Sequence, residues 1–104
     1  MLSQGYNVIS WDFSKSEKII NSTSGSYVVE KDGYIFAQAQ GIQGREAIYL
    51  NDVELLLGGA DGTHWYTDST FIPVKKNDVI TTYGIIYGSV GTRAATASVW
   101  YMPK

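Results

Sequence analysis

Cysteine is absent from the 104 residues, so disulfides and thiolate chemistry are excluded and the redox compartment stays open. Histidine occurs once, at His64, which leaves one possible base for a Ser-His nucleophile system. Zinc would want several His or Cys ligands, so no zinc site is expected. Charge is sparse: charged residues make up 17%, the formal net charge is −2, and no basic stripe runs along the chain. Nucleic acid is therefore not an expected partner. No run approaches the roughly 18 apolar residues of a membrane span. The opening Met-Leu-Ser-Gln-Gly-Tyr-Asn lacks the basic-then-apolar order of a signal peptide. Phosphate loops and dinucleotide fingerprints are missing, because the glycines follow turn positions. The expectation is a chain with no cofactor and no membrane insertion, made in the cytosol and either kept there or released by lysis.

Helix signals are nearly absent as well, and strand signals take their place. Eleven glycines and eight tyrosines, with many Val, Ile and Thr, favour strands and turns. Strands are predicted near Asn7–Phe13, Glu17–Asn21, Ser26–Glu30, Gly33–Gln40, Glu46–Leu57, Ser69–Val74, Val79–Tyr87 and Ala94–Met102. Lys31-Asp32-Gly33 and Lys75-Lys76-Asn77-Asp78 read as turns, and Gly58-Gly59-Ala60-Asp61-Gly62 as a flexible loop. Pro73 cannot donate to a ladder, which places its strand at an edge or that position away from a neighbour. The expected fold is a single all-β domain over residues 1–104, a jelly-roll sandwich of about eight to ten antiparallel strands. No helix longer than about two turns is expected.

Several strands are apolar on both faces. In Gly33–Gln40, Tyr34 and Phe36 point one way while Ile35, Ala37 and Ala39 point the other. In Val79–Tyr87, Val79, Tyr83, Ile85 and Tyr87 oppose Ile80 and Ile86. In the last strand, Ala95, Ala97, Val99 and Tyr101 oppose Trp100 and Met102. A sandwich covers one face of each sheet with the other sheet. A second copy of the chain would cover the remaining face, since most soluble oligomers are closed homo-oligomers. The alternative is that scattered surface tyrosines need no cover.

Tyr27-Val-Val-Glu-Lys-Asp-Gly-Tyr-Ile-Phe36 resembles the Y-x-x-P-x-x-G-x-Y-x-F signature of the C1q and tumour necrosis factor superfamily. Ile48-Tyr-Leu-Asn-Asp-Val-Glu54 is similar to its L-x-x-N-G hairpin, with Asn51-Asp52 in place of Asn-Gly. Phe71-Ile-Pro-Val-Lys-Lys-Asn-Asp-Val-Ile80 looks like L-x-L-x-x-G-D-x-V, with Asn77 where Gly is usual; Asn tolerates the left-handed conformation. Ala97-Ser-Val-Trp-Tyr-Met-Pro-Lys104 is similar to the F-Y-P-L-K endings of phage tail-fibre tip domains of this fold. The resemblance, from about Ser26 to the C-terminus, implies a homotrimeric jelly roll packed around a threefold axis. The missing collagen repeat, cysteine and signal peptide bring it nearer the phage version: a structural virion component, made in the host cytoplasm and released by lysis. Its implied partners are two further copies, other tail or fibre proteins, and a host-surface glycan or protein. Tyr34, Phe36, Tyr83, Ile85, Tyr87, Val99 and Tyr101 are the expected trimer interface. Ile35 and Ala37 divide with them between core and axis.

Binding is expected more than catalysis. Asp61-Gly-Thr-His-Trp-Tyr-Thr-Asp68 places Trp65 and Tyr66 in a polar, Gly-rich segment, where flat rings can take the C–H face of a sugar. Asp61, Thr63, His64 and Asp68 would hold its hydroxyls. The competing reading has Trp65 plugging the sandwich end and Tyr66 in the seam. Trp11 and Trp100 read as core or seam residues, and Arg93 as a decoration of a tip loop. A stand-alone carbohydrate-binding module is the second hypothesis, and a hydrolase with His64 as base the third. A calcium site from Asp61 and Asp68 lacks a dense run of oxygen ligands. Glu46 and Glu54 read as solvated strand residues rather than a paired-carboxylate site.

Overall fold

The computed structural model describes residues 12–42, 44–60, 66–86 and 94–104, without the side chains of Ala60, Ile85, Ile86 and Ala94. A one-turn 3-10 helix at Phe13–Lys15 is capped by Asp12, whose side chain accepts from the Ser14 N–H at 2.9 Å. Eight strands follow: β1 Glu17–Asn21, β2 Gly25–Val28, β3 Gly33–Ile42, β4 Gly44–Leu50, β5 Val53–Ala60, β6 Tyr66–Val74, β7 Val79–Ile86 and β8 Ala94–Pro103. They form two four-stranded antiparallel sheets, in the orders β1-β8-β3-β6 and β2-β7-β4-β5. The first strand pairs with the last, the second with the seventh, the third with the sixth and the fourth with the fifth. That nesting is the expected jelly roll. The expected strand near Asn7–Phe13 lies almost wholly outside the described residues, and Phe13 itself is in the 3-10 turn.

Local chemistry places the turns. The stretch Glu46–Leu57 is two strands, broken at Asn51 and Asp52 with φ of 51° and 67°. Consecutive left-handed residues make the tight hairpin whose twist suits antiparallel strands, and Asn and Asp tolerate it best after Gly. Asn77 adopts φ 76° in the β6–β7 turn. Pro73 lies in β6, at the edge of its sheet, where a missing N–H is tolerated.

The core is one apolar layer between the sheets. Ile35, Ala37, Ala39, Ala97 and Val99 face inward from β3 and β8, and Ile48, Leu56 and Ile80 answer from the other sheet. Ile35, Ile48 and Ile80 have no solvent exposure, each worth about 1.5–3 kcal/mol of burial. The inward row of β3 and β8 shrinks from Ile35 and Tyr101 at one end to Ala39 and Ala97 towards the other. At that second end the sheets close to backbone distance. A Cβ on Gly58 would stand 2.2 Å from the Ala39 carbonyl oxygen. Gly58 and Gly59 are therefore strand residues packed against the facing sheet, not part of a flexible loop.

Candidate functional site

The outward face of β1-β8-β3-β6 carries the largest aromatic group among the described residues. β3 contributes Tyr34 and Phe36, β8 contributes Trp100 and Met102, and β6 contributes Phe71 and Pro73 at paired positions. Phe36 and Trp100 have ring centroids 5.6 Å apart, and Tyr34 and Phe71 5.8 Å. Phe13 folds over the edge, edge-on to Phe36 at 6.0 Å and to Trp100 at 5.5 Å. Such pairs add about 0.5–1.5 kcal/mol beyond burial. Lys18 on β1 holds its Nζ 4.9 Å from the Trp100 ring, a cation–π contact. Phe71 and Phe13 are 39% and 55% exposed.

The other half of that face is polar. Gln38 pairs with Ser98 and Ser69, and Gln40 pairs with Thr96 and Thr67. Thr67 Oγ1 donates to Gln40 Oε1 at 3.2 Å. One sheet face thus offers flat rings beside a ladder of amides and hydroxyls.

The seven expected interface residues separate. Tyr34 and Phe36 lie in the aromatic patch. Tyr83 is 57% exposed on the opposite side of the sandwich, on the outward face of β7, and the side chain of Ile85 lies outside the described residues. Tyr87 lies outside the described residues. Val99 and Tyr101 correct the expectation: both face the core, Val99 with no exposure and Tyr101 with 5%. Tyr101 packs on Tyr27, centroids 5.9 Å apart, and its hydroxyl donates to the Lys31 carbonyl. Neither reaches a surface where a second copy could sit. Ile35 and Ala37 are likewise core. Trp100, read as core or seam, is outward and half-buried.

The expected ligand loop is shorter than its sequence suggests. β5 continues to Ala60 and β6 begins at Tyr66, so Asp61, Thr63, His64 and Trp65 fall outside the described residues, as do Trp11 and Arg93. Tyr66 opens β6 with 51% exposure. Asp68 is exposed on the same strand and accepts from the Ser69 N–H at 3.1 Å. Among the described residues no cluster of three or more His, Asp or Glu is placed to hold a metal, and no pocket opens.

Glu54 is exposed as expected, but Glu46 is not solvated: it has no solvent exposure at all. Among the described residues neither carboxyl oxygen finds a hydrogen-bond partner, and the buried Thr82 hydroxyl and Arg45 Nε find none either. Burial pushes the Glu46 carboxyl up to about 7. Strand parity carried the signal, since Glu46 lies two residues from inward-facing Ile48.

Comparison with protein-family models, with curated proteins and with solved structures returns no match to this chain.

Proposed function

We propose that this chain is a non-enzymatic, trimeric tip domain of a phage or prophage fibre, and that it takes part in attachment to a host surface. The aromatic half of the β1-β8-β3-β6 face carries this reading. Tyr34, Phe36, Phe71, Trp100 and Met102 make an apolar surface on a sheet whose opposite face is already buried. Three copies turned towards a common axis would cover it. The nested strand order agrees with the fold that the sequence resemblance implies. Tyr34 and Phe36 remain the seam residues, with Phe71 and Trp100 added and Val99 and Tyr101 removed. Recognition falls to the sandwich end where β5 and β6 are joined, because loops vary without disturbing sheets. Sedimentation equilibrium tests the assembly: three times 11.5 kDa is expected. A monomer that stays monomeric at high concentration would overturn it.

A second reading draws on the polar half of the same face. A monomeric carbohydrate-binding module could lay a sugar chain across Trp100 and Phe36, with Gln38, Gln40, Thr96 and Ser98 taking its hydroxyls. A monomeric mass, with glycan binding that Trp100→Ala abolishes, would favour this reading over the fibre.

A further inference from the structure

Glu46 sits opposite two glycines, Gly58 on β5 and Gly84 on β7. Its carboxyl fills the space that a side chain at position 84 would need: a Cβ there would stand 2.7 Å from Glu46 Oε1 and 3.1 Å from Thr23 Cβ. The group is therefore tucked over β7, under the turn between β1 and β2. Two residues further along β4 in the other direction, Gly44 meets Gly41 and Gly59 backbone to backbone. Both carboxyl oxygens are buried there, and no donor among the described residues reaches them.

Among the described residues, those placed around Glu46 are uncharged: Gly58 on β5 and Gly84 on β7 pair with it, Thr82 is buried on the same side of β7, and Thr23 of the β1–β2 turn lies beside the same space. Arg45 is the adjacent residue on β4, so strand alternation turns its side chain to the other face of the sheet. Burial is accordingly the only cause raising the Glu46 carboxyl, with no neighbouring charge contributing.

We infer that Glu46 is a proton-operated latch for the glycine-lined end of the sandwich. As a neutral acid it lets the two sheets close on each other; as a carboxylate it drives them apart. An unpaired charge between the sheets must either regain water or leave, and both routes separate β4 from the facing sheet. The direction follows from linkage. The unfolded carboxyl ionises near 4.5 and the folded one near 7. The closed form is fully favoured below the first value, weakens as the pH rises between them, and is weakest above the second. Each pH unit across that window costs about tenfold in the closing equilibrium. The inference does not depend on the trimer, since Glu46 lies on the side of β4 away from any outward face.

Amide hydrogen exchange at pH 5.5 and 8.5, corrected for intrinsic rates, tests the latch on the intact chain. Amides of residues 44–48, 56–59 and 82–84 should lose at least about tenfold protection at the higher pH. Those of residues 29–35 and 99–102 should not. Glu46→Gln, neutral at both values and nearly the same shape, should keep protection at both. An equal pH response in Glu46→Gln, or none in the wild type, overturns the inference. Infrared spectroscopy supplies an arm that needs no variant. The protonated carboxyl band of a buried acid should be present at pH 5.5 and disappear with a midpoint near 7. Absence of that band at pH 5.5 overturns it equally.

Discussion

Asn51 and Asp78 join two turns that are 27 residues apart: Asn51 Nδ2 donates to Asp78 Oδ1 at 3.0 Å. The same Asn51 accepts from the Val79 N–H at 2.8 Å, and Asp78 Oδ2 accepts from the Lys75 N–H at 2.8 Å. The β4–β5 hairpin is thereby tied to the β6–β7 turn, where Asn77 N–H in turn reaches the Val29 carbonyl at 2.8 Å. One side chain serves two purposes here, since Asn51 also occupies a left-handed backbone position.

Replacing Asn51 should separate those purposes. Asn51→Gly keeps the backbone easy and loses the two side-chain hydrogen bonds, at a cost of about 1–2 kcal/mol. Asn51→Ala loses them and adds roughly 1–2 kcal/mol of left-handed strain. Urea midpoints at constant slope should rank wild type, then glycine, then alanine. A glycine variant less stable than alanine would show that the turn is not the constraint.

Asp78 gives the protein an acid limit. Its hydrogen bonds from Asn51 and Lys75, in that order, hold its carboxyl below the usual aspartate value of 3.8. Stability from this group is present above 3.8 and is lost as the pH falls through that value and below it. Asp78→Asn should flatten the acid side of the melting-temperature profile. Glu46 acts with the opposite sign, so the profile should peak at mildly acidic pH.

Charging the two faces of the β1-β8-β3-β6 sheet should have different results. Tyr101→Glu places a carboxylate in the core and removes the bond to the Lys31 carbonyl. It should cost several kcal/mol and unfold the chain. Phe36→Glu on neighbouring β3 points outward, so it should leave the strand content by circular dichroism intact and, if the proposed trimer forms through this face, give a monomer in sedimentation. Phe36→Glu that sediments as wild type would remove this face from the seam.

Gly58→Ala tests the narrow end. The added methyl meets the Ala39 carbonyl oxygen and carbon at 2.2 and 2.5 Å, both backbone atoms. One strand must move outward, and a loss of about 1–3 kcal/mol or more is expected. A wild-type melting temperature would mean that the sheets part there without cost.

Tyr66 is the testable remnant of the expected ligand loop. Tyr66→Ala at this 51% exposed position should leave the melting temperature within about 1 °C and weaken attachment to host cells or arrayed glycans. Unchanged attachment would move recognition away from the start of β6.

Much of this fold was legible in local chemistry. Lys75-Lys76-Asn77-Asp78 read as a turn, and Pro73 limited its strand to an edge or to a position away from a neighbour, whereas the Asn51-Asp52 hairpin came only with the resemblance, inside a stretch read as one strand. What periodicity could not supply was the choice of core face on strands apolar on both sides. On β8, Val99 and Tyr101 compete with Trp100 and Met102, and either row would satisfy an alternating pattern. The structure resolves it by size. Small residues such as Ala39, Ala97 and Gly58 face inward where the sheets come closest, and the widest rings are turned out. Gly58 and Gly59 read as loop because a glycine needed for close approach is indistinguishable in sequence from one needed for a turn. Glu46 was missed because a carboxylate is expected in water, and only its parity with Ile48 argued otherwise. Of the expected ligand residues, only Tyr66 and Asp68 lie in described strand.

The nested pairing also orders the kinetics of assembly. β4 and β5 meet across two turn residues, while β1 and β8 must bring Glu17 beside Tyr101. Loop-closure entropy grows with the chain enclosed, so pairing that spreads outward from the Asn51–Asp52 turn encloses little new chain at each step. A start at β1 and β8 would enclose nearly everything at once. With so many distant partners, folding should be slow, in the range of milliseconds to seconds. Substitutions in the β4–β5 hairpin should then slow folding, whereas those in β1 should mainly hasten unfolding.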